Sequence, residues 1–149
     1  MLKALQISKY LLLIAAVFCS TLSSRAAVFG LNSATENNLR TAITNANANG
    51  AGLDTIIFYS GGTVTLTSAL PNITSALLIQ GIGARQSIIE ADTIPGIANR
   101  RVFTITANVN VTINDITIRN GYINGSWGAG ILASEGDFIL SVLLFTNKV

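Results

Sequence analysis

The apolar positions between residues 36 and 48 recur at helical spacing. Four of them follow the pattern i, i+3, i+4 and i+7, which places them on one face of an α-helix. They are Leu39, Ala42, Ile43 and Ala46. Thr35 is suited to cap the start of this helix, and Glu36 suits the positive end of the helix dipole. An Asn-rich run to Gly50 ends the pattern, so the sequence predicts one helix over residues 36–48.

From Asp54 onward, short β-prone runs are separated by Gly, Asn, Pro and Ser. Several runs alternate apolar residues with threonine, as expected of strands with one buried face. The predicted strands cover residues 27–31, 55–59, 63–67, 76–80, 87–90, 102–106, 111–113, 116–119 and 138–140. Most of the connections are too short for crossover helices, which argues against a doubly wound α/β fold.

The strand region also repeats itself with an offset of 27 residues. The matched positions are Ile105 with Leu132, Val111 with Phe138, Ile113 with Leu140, Ile116 with Leu143, Ile118 with Phe145, and Asn120 with Asn147. Apolar positions that keep their places while changing identity are typical of stacked coils. Residues 76–81 are a looser copy of residues 116–121, with residues 85–101 as an apparent insertion. An antiparallel β-sandwich is the structural alternative, since it also has short strands and turns.

Several short motifs follow one another in a fixed order. They include residues 38–43 (NLRTAI), 54–58 (DTIIF), 78–84 (LIQGIGA) and 111–121 (VTINDITIRNG). This order resembles the start of bacterial right-handed parallel β-helix proteins with a pectin-lyase-like fold, which include surface and secreted proteins of the polymorphic outer-membrane-protein and adhesin type. The resemblance covers nearly all of residues 32–136.

The resemblance implies an all-β fold, a right-handed parallel β-helix (solenoid) with one N-terminal capping helix. The capping helix is expected to cover the exposed edge of the first coil. The expected organisation is a signal peptide at residues 1–26, an N-terminal cap at residues 27–53 with helix 36–48, and the first coils of the β-helix at residues 54–149.

Glycine and asparagine mark the expected turns between coils. Residues 128–131 (GAGI) resemble the glycine-rich repeat of polymorphic membrane proteins, although the partner motif F-x-x-N does not follow. We interpret this stretch as a tight turn, because glycine reaches positive φ at little cost. Asn114, Asn120 and Asn147 are interpreted as turn residues that tolerate the left-handed conformation and stack between coils.

The N-terminus has the three parts of a secretory signal peptide in the usual order. Two lysines precede an uncharged apolar run at residues 10–19 (YLLLIAAVFC). Ser24 and Ala26 then supply the small residues that a signal peptidase requires, which predicts cleavage before Ala27. A transmembrane anchor is the alternative, but the apolar run has about half of the ~20 residues that a spanning helix needs.

Removal of this leader changes the charge and the available chemistry. The whole chain has nine Lys and Arg, seven Asp and Glu and no His, and three of the basic residues lie in the leader. Six basic residues against seven acidic ones would remain, so no nucleic-acid partner is expected. Cys19 is the only cysteine, and the mature chain would therefore have neither a disulfide nor a thiolate metal site. No transmembrane helix is expected in the mature chain.

The end of the sequence is strongly apolar. Residues 141–145 are interpreted as an apolar strand, and residues 138–145 hold seven apolar residues among eight, without charge or proline. Such segments recruit further strands. Because a solenoid needs a cap at each end, either the protein continues beyond Val149 or it associates with itself through the open C-terminal coil. We favour continuation.

Catalytic chemistry has little support in the sequence. Glu90 and Asp92 form the nearest approach to a carboxylate cluster, with Arg100, Arg101 or Arg119 as expected neighbours. Calcium requires ~6–8 oxygen ligands, and a nucleophile with a matching base is lacking. We therefore predict no catalytic residue, cofactor or metal site, and interpret these residues as a surface ion pair in a solvated turn.

Tyr122 and Trp127 flank the glycine-rich loop and are the predicted surface contacts. Exposed aromatic rings stack on sugars or anchor a partner, and packing across a coil edge is the simpler alternative. We expect an exported, non-enzymatic β-helical protein, secreted or on the cell surface or outer membrane, that contacts carbohydrate or a host or matrix surface. The alternatives are an N-terminal fragment of a carbohydrate-active lyase or hydrolase, and a truncated reading frame without independent function.

Overall fold

The computed structural model describes residues 25–50, 52–106 and 108–134, together with the backbone of residues 138–141 and 144–146. Within these ranges the chain forms one helix and eleven strands. The helix is α1 (Glu36–Ala48), and the strands are β1 (Val28–Leu31), β2 (Asp54–Phe58), β3 (Gly62–Thr65), β4 (Leu77–Gln80), β5 (Ser87–Glu90), β6 (Phe103–Ile105), β7 (Val111–Asn114), β8 (Thr117–Arg119), β9 (Ile131–Ala133), β10 (Phe138–Ser141) and β11 (Leu144–Thr146).

Helix α1 has the bounds that the sequence predicts. The side-chain oxygen of Thr35 accepts a hydrogen bond from the backbone N–H of Asn38 at 3.3 Å, as an N-cap residue does. At the other end, the backbone N–H of Asn49 donates to the Ala46 carbonyl. The four apolar residues of the predicted helical face are all buried, and the helix packs against β1 and β2.

The Glu36 carboxylate links the start of α1 to the segment after β3 by hydrogen bonds. It accepts hydrogen bonds from the backbone N–H and hydroxyl of Thr67 at 2.9 and 2.7 Å, and from the same groups of Ser68 at 3.3 and 3.2 Å. Arg40 donates to it at 2.6 Å and also donates to the Ala69 carbonyl. Burial opposes ionisation of this carboxylate, but the hydrogen bonds from Thr67, Arg40 and Ser68 outweigh it and lower the pKa of Glu36 from 4.5 to about 2.

The strands form three sheets in which every strand pairing is parallel. Sheet A has the order β1-β2-β4-β7-β10, sheet B the order β3-β5-β8-β11, and sheet C pairs β6 with β9. In each sheet, spatial order follows chain order, so each new strand is added beside the preceding one. Parallel neighbours cannot be joined by a hairpin, and the predicted alternative of an antiparallel sandwich is therefore wrong.

The chain visits the three sheets in a repeating circuit. From β4 onward the sequence of strands leads from sheet A to sheet B to sheet C, and then back to sheet A. An isolated parallel bridge between Ile73 and Ile105 places the segment before β4 beside β6, as sheet C requires. We call one passage of the chain through sheets A, B and C a circuit, and in each sheet the strands of successive circuits are neighbours.

One apolar core lies between α1 and the inward faces of the sheets. The strands alternate as the sequence predicts: in β2, for example, Ile56 and Phe58 are buried whereas Thr55 and Ile57 are partly exposed. Five apolar residues of the first copy in the 27-residue match are at most 1% exposed. These are Ile105, Val111, Ile113, Ile116 and Ile118.

The predicted 27-residue register is confirmed in sheets A and B. The backbone of Phe138–Ser141 pairs with that of Val111–Asn114, which sets Val111 opposite Phe138 and Ile113 opposite Leu140. In sheet B, Ile118 lies opposite Phe145. The predicted pairing of Ile105 with Leu132 is wrong by one residue, because Ile105 pairs with Ala133. The pairs that include Leu143 and Asn147 lie outside the described residues.

The longer-range match of residues 76–81 with residues 116–121 is wrong. Strand β4 pairs with β7, with Leu77 opposite Val111 and Gln80 opposite Asn114. The segments look alike because each is a strand followed by glycine, yet β4 belongs to sheet A and β8 to sheet B. The predicted insertion at residues 85–101 is also wrong in part, since it contains β5, which pairs with both β3 and β8.

At the C-terminal end, the predicted single strand at residues 141–145 is wrong. Strand β10 ends at Ser141 in sheet A, and β11 begins at Leu144 in sheet B. The side chains of residues 135–149 lie outside the described residues, and so do residues 1–24, which hold most of the predicted leader. The expected self-association and the expected signal peptide therefore stay predictions.

Left-handed backbone occurs where the chain turns between sheets. Asn120 has φ 58°, as predicted, but Asn114 ends β7 and the left-handed residue is its neighbour Asp115, with φ 55°. Asn114 instead donates to the side-chain oxygen of Gln80 at 3.2 Å, so it does stack on the previous circuit. Gly81 follows β4 beside this turn, and a Cβ on it would clash with the Asp115 carbonyl.

Candidate binding surface

Two loops from successive circuits lie against each other outside the sheets. The first follows β5 and the second follows β8. The Asn120 amide donates to the Asp92 carbonyl at 2.7 Å, and the backbone N–H of Tyr122 donates to the Arg100 carbonyl at 3.1 Å. The side-chain oxygen of Asn99 accepts from the backbone N–H of Asn124 at 3.1 Å. These contacts position both loops without a strand pairing.

The side chain of Arg101 holds the tip of the second loop by hydrogen bonds. Arg101 donates from one guanidinium nitrogen to the Ser126 hydroxyl at 3.1 Å and to the Trp127 carbonyl at 3.0 Å. Gly125 and Gly128 have φ of 73° and 70°, so the tip uses two left-handed glycines. The predicted tight turn at residues 128–131 agrees with this geometry up to Ile131, where β9 begins.

The two predicted contact residues are both exposed, although to different degrees. Trp127 is 89% exposed and lines a shallow recess with Gly125 and Ser126, whereas Tyr122 is 38% exposed. Packing across a coil edge does not describe Trp127, since so little of its side chain is covered. The first loop, which follows β5, adds two exposed apolar residues that the sequence pattern did not indicate, Ile94 and Ile97. We call Ile94, Ile97, Tyr122 and Trp127 the loop surface.

A small groove lies between the same loops and the sheet. Its volume is about 170 Å³, and its lining includes Asn72, Asn99, Arg100, Arg101 and Thr104. Amide and guanidinium groups of this kind can donate to hydroxyl oxygens. The groove adds polar groups to the region that carries the exposed aromatic residues.

The residues considered for catalysis do not converge on one point. Glu90 is buried and accepts from Arg119 at 2.6 Å and from the Thr65 hydroxyl at 2.7 Å. These three residues are neighbours in the register of sheet B, so they form a polar ladder across it. Asp92 lies in the loop, where it accepts from the backbone N–H of Ile94 at 3.1 Å. The interpretation of Glu90 as part of an exposed surface pair is wrong, because its carboxylate is buried on the sheet.

The remaining acidic residues of the described ranges also bond within the fold. Glu36 holds the start of α1, and Asp115 accepts from Gln80 at 2.9 Å. Asp54 accepts from the side chain of Asn49 at 2.8 Å. Among the described residues, no three side chains of the metal-binding types come together as a metal site would require.

A second groove runs between β1 and the polar side of α1. It encloses about 600 Å³, and its lining includes Phe29, Asn32, Asn38, Thr41 and Asn45. Sequence patterns give no signal for it, because it depends on the packing of α1 against the edge strand β1.

No protein-family model, curated protein or solved structure matches this chain. Within the described part of the chain, nothing helical has the length and apolarity that crossing a membrane requires.

Proposed function

We propose that the chain folds as a right-handed parallel β-helix with α1 as its N-terminal cap. Support comes from the strand order, in which the chain passes through sheets A, B and C in turn and adds each strand beside the preceding one. Parallel strands of one sheet are joined by right-handed connections in nearly all proteins, which gives the handedness. The resemblance of residues 38–43 and 111–121 to bacterial β-helix proteins points in the same direction.

We further propose that the protein is exported and acts without catalysis, as an adhesin-like protein that contacts carbohydrate or a matrix surface. The observation that carries this proposal is the exposure of Trp127, at 89% on a loop whose backbone is held by Arg101. An exposed apolar patch rimmed by polar residues often marks an interaction site, and Ile94, Ile97 and Tyr122 of the loop surface are exposed as well. The five acidic residues of the described ranges all bond within the fold, which leaves them structural roles.

A binding experiment tests the adhesive role. The exported chain is passed over immobilised neutral polysaccharides, acidic polysaccharides and matrix proteins. We expect Trp127→Ala to weaken binding about tenfold, because stacking on an aromatic ring contributes about 1–1.5 kcal/mol. Tyr59→Ala is the matched control, since Tyr59 is 59% exposed but lies at the end of β2, outside the loop surface. Absence of binding to every surface, or equal binding by both variants, would contradict the proposal.

Export is tested separately. Expression of the full gene in a bacterial host should place the protein outside the cytoplasm, with Ala27 as its first residue by N-terminal sequencing. An intact Met1 on a membrane-bound product would show that residues 1–26 act as an anchor.

A further inference from the structure

A buried carboxylate lies at the start of the second strand, beside the residue that precedes the first strand. Asp54 opens β2 and is 0% exposed. One of its oxygens, Oδ1, accepts from the backbone N–H of Ala27 at 2.8 Å and from the side chain of Asn49 at 2.8 Å. The other oxygen, Oδ2, is buried without a hydrogen-bond partner among the described residues. Both donors are neutral, so the uncleaved chain brings no described cation to this group.

Burying a carboxylate in this way is unfavourable. An ionised group that leaves water must be paired and fully hydrogen-bonded to offset the loss of hydration. Ser or Asn at position 54 would accept the same two hydrogen bonds without a charge. An acidic residue here therefore suggests a cationic partner that the precursor chain does not yet contain.

The predicted cleavage would create that partner. Ala27 is the residue that becomes the new N-terminus, and its nitrogen already lies 2.8 Å from the carboxylate. After cleavage this nitrogen is an α-ammonium group, which is mostly charged at neutral pH and carries three N–H donors instead of one. One donor keeps the existing bond to Oδ1, and a second becomes available to the unpartnered Oδ2.

The surrounding backbone is compatible with this change. The Ala27 carbonyl accepts from the backbone N–H of Thr55 at 2.8 Å, so the pairing of β1 with β2 holds this residue after the leader is gone. Among the hydrogen bonds of the described residues, cleavage removes the one from the Asn49 side chain to the Arg25 carbonyl. Gly52 lies against the departing segment, and a Cβ on it would lie 2.8 Å from the Ala26 nitrogen.

We propose that Asp54 is the receptor for the N-terminal ammonium group that cleavage before Ala27 creates, so that processing completes an ion pair and stabilises the first circuit. The proposal rests on the proposed export, because without cleavage Ala27 has no free amine. The reaction is the hydrolysis of one peptide bond. Water attacks the Ala26 carbonyl carbon and the C–N bond breaks, so that Ala26 ends in a carboxylate and the Ala27 nitrogen leaves as an amine. A protease of the export machinery supplies the catalysis.

A chain with a single amine makes the pair measurable. Lys148 is the only lysine after residue 26, so the Lys148→Arg variant of the exported chain has its α-amine as the sole amine. N-terminal sequencing first shows where cleavage occurred. The rate at which an acylating reagent modifies the amine is then compared for the folded chain and for the same chain in urea. Pairing with Asp54 should slow the folded reaction about tenfold, since an ammonium held by a carboxylate is a poor nucleophile.

Two further measurements separate the ion pair from general shielding by the fold. Asp54→Asn should restore fast acylation, whereas Asp92→Asn, the same chemical change in a loop, should not. If Asp54→Asn fails to fold, the chain with Asp54 is acylated in urea and refolded; loss of the ammonium charge should lower its melting temperature by about 5 °C or more.

The outcomes distinguish this inference from the proposed export. An exported chain that begins at a residue other than Ala27 overturns the inference but leaves export intact. A chain that begins at Ala27, but is acylated equally fast when folded and unfolded and melts at the same temperature after acylation, overturns the ion pair alone.

Discussion

The Glu36 carboxylate should make the stability of this protein depend on pH in a specific way. It accepts five hydrogen bonds, from the backbone and hydroxyl groups of Thr67 and Ser68 and from Arg40. We predict that Glu36→Gln destabilises the protein at pH 7, because an amide cannot accept all of these bonds and carries no charge.

The pKa of Glu36 sets the size of the effect. A fall from 4.5 to about 2 corresponds to about 3 kcal/mol of preference for the ionised form in the folded state. The Glu36 side chain is 16% exposed, and its ion pair with Arg40 lies at the surface. Water therefore screens part of this energy. We therefore expect Glu36→Gln to cost about 1.5 kcal/mol at pH 7.

The direction of the pH dependence follows from the lowered pKa. The stabilisation is fully present above the unfolded-state value of about 4.5 and is lost as the pH falls through about 2. Urea denaturation of the wild-type and Glu36→Gln chains at pH 7, 5, 4 and 3 measures the difference in unfolding free energy. This difference should be constant from pH 7 to about pH 5 and then narrow.

Asp92→Asn is the control, since this carboxylate lies in an exposed loop and accepts fewer bonds than Glu36. At pH 7, Asp92→Asn should lower the unfolding free energy by less than Glu36→Gln does. A Glu36→Gln difference that stays the same from pH 7 to pH 3 would refute the reasoning, because it would show that shape and not charge holds α1 to the segment after β3.

Two further predictions concern the apolar core and the register of the strands. Ile116→Asp should prevent folding, because Ile116 is 0% exposed and an unpaired buried charge costs several kcal/mol; Ile97→Asp, at 67% exposure, should fold normally, and circular dichroism of both variants checks this. Cysteines at Leu78 and Thr112, which are paired across β4 and β7, should form a disulfide on mild oxidation, whereas cysteines at Leu78 and Asn114 should not, because a shift of two residues separates the Cα atoms by about 8 Å. Equal crosslinking of the two pairs, measured by mass spectrometry, would mean that the register is wrong.

Local features of the fold could be predicted from the sequence, whereas features that depend on loop length could not. The bounds of α1 follow from the apolar spacing and from Thr35, which all act within a few residues. The 27-residue register of β7 with β10 was visible because the same offset recurs from β8 to β11. The partner of β4 was not, since 34 residues separate Leu77 from Val111 and nothing local shows which later strand it meets.

The candidate site was predictable to a similar extent. Asn120 adopts the predicted left-handed backbone, whereas the sequence left open whether Trp127 is exposed or packs across a coil edge. The role of Arg101 beneath the turn depends on the stacking of two loops and has no sequence signal. Asp54 did offer a signal: an acidic residue opens an apolar strand 27 residues after Ala27, and 27 residues is also the offset from β7 to β10 and from β8 to β11.

The order of the strand pairings has a consequence for how the protein reaches its folded state. Every described strand after β3 except β6 pairs with an earlier strand of its sheet, and β6 is joined to the earlier residue Ile73 by an isolated bridge. No paired residues of the named strands are more than 34 positions apart. A chain that is synthesised N-terminus first can therefore complete α1 and the pairing of β1 with β2 before the later strands appear.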